Sequence, residues 1–179
     1  CELGNLNAHL SGSFSFFTES NADYPAVGDW IIVSKLPGED KAIIHKLLAR
    51  KTSFTRKIAG DKTEKQIIAA NIDIVFLVVG LDRNFNLRRI ERYLTLINRC
   101  GADLVILLNK SDVCRDIDAR VQEVTEIAGD CPIHKLSAIN DSCEFLSSYI
   151  TRGKTVTMVG SSGTGKTTII NRILGENIL

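Results

Sequence analysis

The sequence predicts an all-β barrel over residues 1–68, followed by an α/β domain with a parallel sheet over residues 69–179. Three observations carry this. Up to about residue 70, short alternating runs are split by turn residues, the pattern of small strands joined by tight connections. After it, apolar runs of strand length alternate with helical stripes, which implies parallel strands with right-handed crossovers. Ile72 to Val79, apolar but for Asp73, and Leu104 to Leu108 are apolar runs, as suits strands buried on both faces.

In the first part, Leu10 to Phe17 is expected as a strand with Phe14 and Phe16 on one face. Val27-Gly28-Asp29-Trp30-Ile31-Ile32-Val33 reads as a strand entering the turn Leu36-Pro37-Gly38-Glu39-Asp40, with Ala42 to Leu48 returning. Trp30 is expected in the barrel core or its rim. In the second part, Asn86 to Ile97 has apolar residues at 87, 90, 94 and 97, a helical stripe closed by Cys100-Gly101. Ile117 to Ala128 is a helix ended by Gly129, Ile133 to Leu136 a strand, and Cys143 to Ile150 a short helix. Thr155 to Val159 is a strand that delivers a Gly-rich loop, and Thr167 to Leu174 is the helix beyond it.

A chain of 179 residues can hold one large domain or two small ones. Its 22 Lys and Arg nearly balance its 21 Asp and Glu, so no global charge points to nucleic acid or membrane. The apolar runs are too short to span a bilayer, and no signal peptide is visible. The first residue is Cys rather than Met, so the chain is expected to be a fragment. Cys1, Cys100, Cys114, Cys131 and Cys143 form no C-x-x-C pair, which argues for reduced thiols in a cytosolic protein rather than a zinc site or disulfide framework. His9, His45 and His134 show no metal spacing.

Gly160-Ser161-Ser162-Gly163-Thr164-Gly165-Lys166-Thr167-Thr168 contains G-x-x-x-x-G-K-[ST] between a buried strand and a helix. Glycines let backbone N–H groups wrap a polyphosphate, and the following helix adds its positive end. Lys166 supplies a compact cation to the β- and γ-phosphates, and the Thr167 hydroxyl is a hard oxygen ligand suited to Mg²⁺. Asn109-Lys110-Ser111-Asp112 follows a buried strand at its carboxyl end, where open α/β sheets bind ligands. The motif alone is compatible with a capping loop, because Asn and Asp favour turns. Paired with the phosphate loop it points to guanine: the Asp112 carboxylate can accept from N1 and N2, a donor pair adenine lacks. Asn109 can address the acceptor edge of the base or tie neighbouring loops together, and the Lys110 stem can lie along the ring. Ser137-Ala138, after the next strand, is placed to give a backbone N–H to O6.

The base-reading motif precedes the phosphate loop, the reverse of the usual GTPase order. With this circular permutation the chain resembles the RsgA family of small ribosomal subunit biogenesis GTPases. The resemblance lies in Tyr24-Pro25-Ala26-Val27-Gly28-Asp29-Trp30, Arg56-Lys57-Ile58-Ala59-Gly60, Ile68 to Asp73, Phe85 to Leu94, Asn109 to Asp112 and Gly160 to Asn171. It covers nearly the whole chain. It implies an OB-fold, RNA-binding domain over 1–68 and a circularly permuted P-loop GTPase domain over 69–179. It also implies cofactors GTP or GDP with Mg²⁺, and partners in the small ribosomal subunit and its rRNA. A cytoplasmic monomer with no membrane association is expected, active in late subunit maturation with GTP hydrolysis stimulated by the subunit. The family pattern continues past the phosphate loop with switch I, a D-x-x-G switch II and a zinc-binding domain. The sequence stops at Leu179, so residues 1–179 are expected to bind guanine nucleotide and hydrolyse it slowly or not at all, with the catalytic residues unassigned. A guanine-nucleotide and RNA-binding module without hydrolysis is the competing reading of the same stretch. The Thr155 to Val159 strand is then expected at an open sheet edge.

Residues 41 to 65 carry Lys41, Lys46, Arg50, Lys51, Arg56, Lys57, Lys62 and Lys65 against Asp61 and Glu64. A basic face on an OB barrel fits an rRNA platform, and solvated surface lysines fit equally. Phe54 suits core packing or base stacking. Arg88, Arg89 and Arg92 form a charged helix face turned to RNA, or paired with Glu91 and solvent.

Overall fold

The computed structural model describes residues 4–18, 20–57 and 65–175. The chain divides into two compact units, residues 1–71 and 72–179.

The first unit holds two small sheets. Strand β1 (Asn7–Leu10) runs parallel to β3 (Lys41–Leu47), and β2 (Ile31–Lys35) pairs antiparallel with the other edge of β3. Strands β4 (Ser53–Lys57) and β5 (Lys65–Ala70) form the second, antiparallel sheet. Ala42 and Ile44, on the inner face of β3, are buried, and Ala70 closes the end of β5. The segment Tyr24 to Trp30 is held by a fork of charged hydrogen bonds. Arg50 donates from Nε to Asp29 Oδ1 at 2.8 Å and from Nη2 to Asp29 Oδ2 at 2.7 Å. It also donates to the carbonyls of Ala22 and Tyr24. The Ala26 N–H donates to Asp29 Oδ2 at 2.7 Å. Burial opposes the Asp29 charge, but the bonds from Arg50 and Ala26 prevail and hold its carboxyl below the usual carboxylate range.

Several expectations for this unit do not hold. The two sheets share no ladder, so no closed barrel of the OB type is seen among the described residues. The reason lies at Val27-Gly28. Val27 makes a lone bridge to Ala69, and Gly28 then turns to φ +88, where a Cβ would stand 2.2 Å from the Ala70 carbonyl oxygen. The strand expected from Val27 therefore starts only at Ile31. Trp30 is 70% exposed rather than core or rim, because it belongs to that turning segment. Leu10 to Phe17 is not one strand: β1 ends at Leu10, and Gly12–Phe17 is a short helix, α1. Ser11 starts α1 by accepting the Phe14 N–H on its hydroxyl at 3.1 Å, a local bond that outcompetes the extended ladder. Ile58-Ala59-Gly60 and the charged residues Asp61, Lys62 and Glu64 lie outside the described residues.

The second unit is built on a four-stranded parallel sheet of order β8-β7-β6-β9. Here β6 is Ile74–Gly80, β7 Asp103–Asn109, β8 Ile133–Lys135 and β9 Val156–Val159. Every residue of β6 is buried, which explains its unbroken apolar run. Ile74, Phe76 and Val78 of β6, with Val105 and Leu107 of β7, pack on one face against Leu136, Leu146 and Ile169. Helix α2 (Leu87–Cys100) buries Ile90, Leu94 and Ile97 along its stripe. The Asn86 side chain caps α2 on the Arg89 N–H at 2.9 Å, and Gly101 ends it in the left-handed region. Helix α3 spans Ile117–Ala128 and α4 spans Lys166–Leu174. The segment expected as a helix over Cys143 to Ile150 is a 3-10 helix, Glu144–Ser148. Strand β9 lies at the sheet edge beside β6. Among the described residues, no helix is long and apolar enough to cross a membrane.

Candidate functional site

Three loops leave the carboxyl ends of β7, β8 and β9 on the same side of the parallel sheet. They carry Asn109 to Asp112, Ser137-Ala138 and Gly160 to Gly165. Among the described residues, the polar residues buried as a whole are Asn109 (2% exposed), Ser137 (2%) and Thr164 (4%), one from each loop. Buried polar groups carry a desolvation cost unless bonded, so their confinement here marks the loops as a built assembly.

Asn109 joins all three. Its Nδ2 donates to the Thr164 carbonyl at 2.8 Å, and its Oδ1 accepts the Ala138 N–H at 2.9 Å. Of the two roles open to this Asn, the structure shows loop-tying. The same contact dictates Gly165: at φ +96, a Cβ there would sit 2.2 Å from Asn109 Nδ2. The Ala138 N–H expected to face a base oxygen is thus already given to Asn109. The Ser137 N–H is given to Asp141 Oδ2 at 2.6 Å.

Lys110 adopts a left-handed φ of 67, and its Nζ meets Asp82 Oδ2 at 2.6 Å. The Lys110 hydrogen bond, aided by the Asn84 N–H, holds the Asp82 carboxyl below its ordinary range. Ser111 and Asp112 begin a 3-10 turn, Ser111–Val113, in which Asp112 stays exposed. A carboxylate so placed is free to accept from a ligand.

In the phosphate loop, Lys166 Nζ folds back onto the carbonyls of Gly160 (3.0 Å) and Ser161 (2.7 Å). The Thr164 hydroxyl donates to the Ser161 carbonyl at 3.0 Å. Ser162 and Gly163 form the exposed tip, and Thr167 and Thr168 are exposed in the first turn of α4. The loop therefore has a cation over its hollow, free hydroxyls at its lip and a helix N-terminus beneath it, a donor set matched to a polyphosphate.

Four supporting residues were not singled out for the site from the sequence: Asp82, Asp141, Arg172 and Thr164 in its tying role. Arg172 of α4 donates through Nε to the Ala138 carbonyl at 3.1 Å and also to the Ile139 carbonyl, which couples the phosphate-side helix to the Ser137 loop. Asp141 carried a readable signal, since an Asp in the loop after a strand, here four residues past Ser137, suits a side-chain-closed turn. Elsewhere the structure reassigns basic residues: Arg50 is spent on Asp29, and Lys41 pairs with Glu39 at 2.7 Å. Lys46 and Lys51 are exposed, and Phe54 is half-buried. Among the described residues, Cys100, Cys114, Cys131 and Cys143 form no disulfide. No group of three or more His, Cys, Asp or Glu among the described residues gathers to hold a metal ion.

The family description "RsgA GTPase" matches residues 47–179. The chain belongs to the RsgA GTPase family. Among RsgA relatives, "Small ribosomal subunit biogenesis GTPase RsgA" of Opitutus terrae is 43% identical, over 97% of this chain and 50% of its own length. The protein of the same description from Methanosarcina acetivorans is 37% identical, over 99% of this chain and 48% of its own. The chain thus spans about half the length of the curated relatives it matches. YjeQ from Thermotoga maritima superimposes with a TM-score of 0.72 at 31% identity, covering 93% of this chain and 55% of that one. YloQ, described as a circularly permuted GTPase, superimposes with a TM-score of 0.66 over 93% of this chain and 54% of its own. At 19% identity YloQ speaks to the fold alone.

Proposed function

We propose that the chain forms the nucleotide-gripping part of a GTP-binding and GTP-hydrolysing factor for late maturation of the small ribosomal subunit, its turnover stimulated by that subunit. The observation that carries this is Asn109, whose one side chain bonds both the phosphate loop and the Ser137-Ala138 loop. A base-reading motif physically tied to a phosphate loop is the arrangement a nucleoside di- or triphosphate requires.

In this reading Gly160 to Thr168 hold the phosphates, with Lys166 moving from the Gly160 and Ser161 carbonyls toward the β- and γ-oxygens. Thr167 offers its hydroxyl to Mg²⁺, which would supply charge neutralisation between the phosphates. Asp112 accepts from guanine N1 and N2, Lys110 lies along the ring while anchored to Asp82, and Ser111 completes the loop. Ser137 and Ala138 form the wall at O6, with donation from Ala138 requiring its N–H to be shared with Asn109. Residues 1–68 supply an RNA platform, supported by exposed Lys46 and Lys51, and residues 69–179 supply the permuted GTPase part. The ribosomal subunit and its rRNA are the partners, in the cytoplasm and with a monomeric factor; zinc belongs to other parts of the family's architecture.

Asp112→Asn tests the base assignment. The variant is expected to lose at least ~100-fold in GDP affinity and to gain xanthosine diphosphate binding, because the amide matches xanthine's exchanged donor and acceptor. Unchanged GDP affinity, or tighter ADP than GDP binding in the unsubstituted chain, would refute the guanine reading.

A further inference from the structure

The arginines of the first turns of α2 look alike in sequence, and the structure separates them. Arg88 and Arg92 are exposed. Arg89 is half-buried, and its Nη1 donates to the Ser161 hydroxyl oxygen at 2.9 Å. Its backbone is fixed as well, since its own N–H is capped by Asn86. Ser161 is the second residue of the phosphate loop, and its carbonyl accepts from both Lys166 Nζ and the Thr164 hydroxyl. One residue is therefore gripped twice, by a guanidinium on its side chain and by the loop's own cation on its backbone.

A Gly-rich loop has few side chains by which a fold can hold it. A charged donor is roughly twice as strong as a neutral one, and the planar guanidinium loses little freedom on bonding. Delivered from a capped helix packed on the sheet, it pins the loop before any ligand arrives. A loop ordered in advance loses less entropy on binding. Ser161 is also where the aim of Lys166 is set.

We infer that Arg89 is a positioning residue for phosphate binding, which through the Ser161 hydroxyl fixes the carbonyls that orient Lys166. This rests on the reading of the loop as a nucleotide site. It adds α2, an element outside both nucleotide motifs, to the machinery.

The 179-residue chain, Arg89→Ala, Ser161→Ala and the double variant are compared in two ways. Amide hydrogen exchange without nucleotide reads the loop directly, and titration with a fluorescent GDP in Mg²⁺ reads affinity. Exchange at residues 161–165 is expected to quicken about tenfold in each single variant, and GDP affinity to fall about tenfold. The double variant is expected to be no worse than either single one, because both remove the same bond. Ser161→Ala leaves α2 untouched and guards against a mere helix defect. Unchanged loop exchange in Arg89→Ala overturns the inference whatever the nucleotide does. Fully additive losses in the double variant, or quickened exchange with unaltered GDP affinity, overturn it too. If the exchange pattern holds while the unsubstituted chain takes up no GDP, the loop-fixing role stands and the nucleotide reading falls.

Discussion

Replacing Asn109 with Ala removes a side chain that bonds two other loops. The site is 2% exposed, and the groups left behind, the Thr164 carbonyl and the Ala138 N–H, belong to residues 4% and 3% exposed. Each buried group left unpaired costs about 1–3 kcal/mol, so the pair costs about 2–6 kcal/mol, and water entering the vacated space brings the expectation to about 3 kcal/mol. With a urea slope of about 2 kcal/mol per molar, the midpoint moves down by about 1.5 M. The chain offers a way to localise the loss. Its single Trp, Trp30, lies in the first unit, while α2, α3 and α4 all lie in the second. Urea unfolding followed together by Trp fluorescence and far-UV ellipticity should show the ellipticity transition moving and the Trp transition staying. Asn109→Asp should be at least as damaging, since it sets an oxygen against the Thr164 carbonyl and buries a charge. A shift in ellipticity below about 0.3 M, well under that expected from the lost bonds, would refute the reasoning. So would equal shifts in both signals.

Arg50→Ala should act in the other unit. Asp29 is 1% exposed at its side chain, so removing its partner strands a buried carboxylate at a cost of about 3–5 kcal/mol, read as a lower midpoint of the Trp30 transition; an unmoved transition would count against the fork as a support. Acid should weaken both units through Asp29 and Asp82. Their pKa values are lowered in the fold, so each contributes stability above the unfolded value and loses it as pH falls through the folded one. Midpoints should hold from neutral pH to about 5 and fall below about pH 4, with Asp29→Asn flattening the acid limb seen by Trp30 and Asp82→Asn that seen by ellipticity. Variants that keep the full acid limb would show that other carboxylates carry it.

The second unit was legible because its signals are redundant. A strand buried on both faces needs an unbroken apolar run, and β6 and β7 supply one each. The proposed phosphate and base loops carry glycines and paired polar residues at fixed spacing, and these sit where parallel strands end. The first unit was less legible because its structure is decided by side-chain bonds between distant residues. Arg50 reaches back 21 residues to Asp29, and nothing in composition tells that arginine from a solvated neighbour. Ser11 diverts the chain into α1 through one hydroxyl, against an apolar alternation that suited a strand. The same limit hid Arg89, whose partner Ser161 lies 72 residues away.

The edge position of β9 has a consequence for the order of assembly. Synthesis delivers β6, β7 and β8 before β9, so the sheet can pair its centre and far edge while the phosphate loop is still unmade. The bond from Asn109 to Thr164 spans 55 residues and closes only when β9 docks. Such long closures come late, because their loop entropy must be met before the contacts repay it. In the proposed reading the nucleotide grip is thus a product of β9 docking, and a polyphosphate present at that moment would act as a template that speeds it.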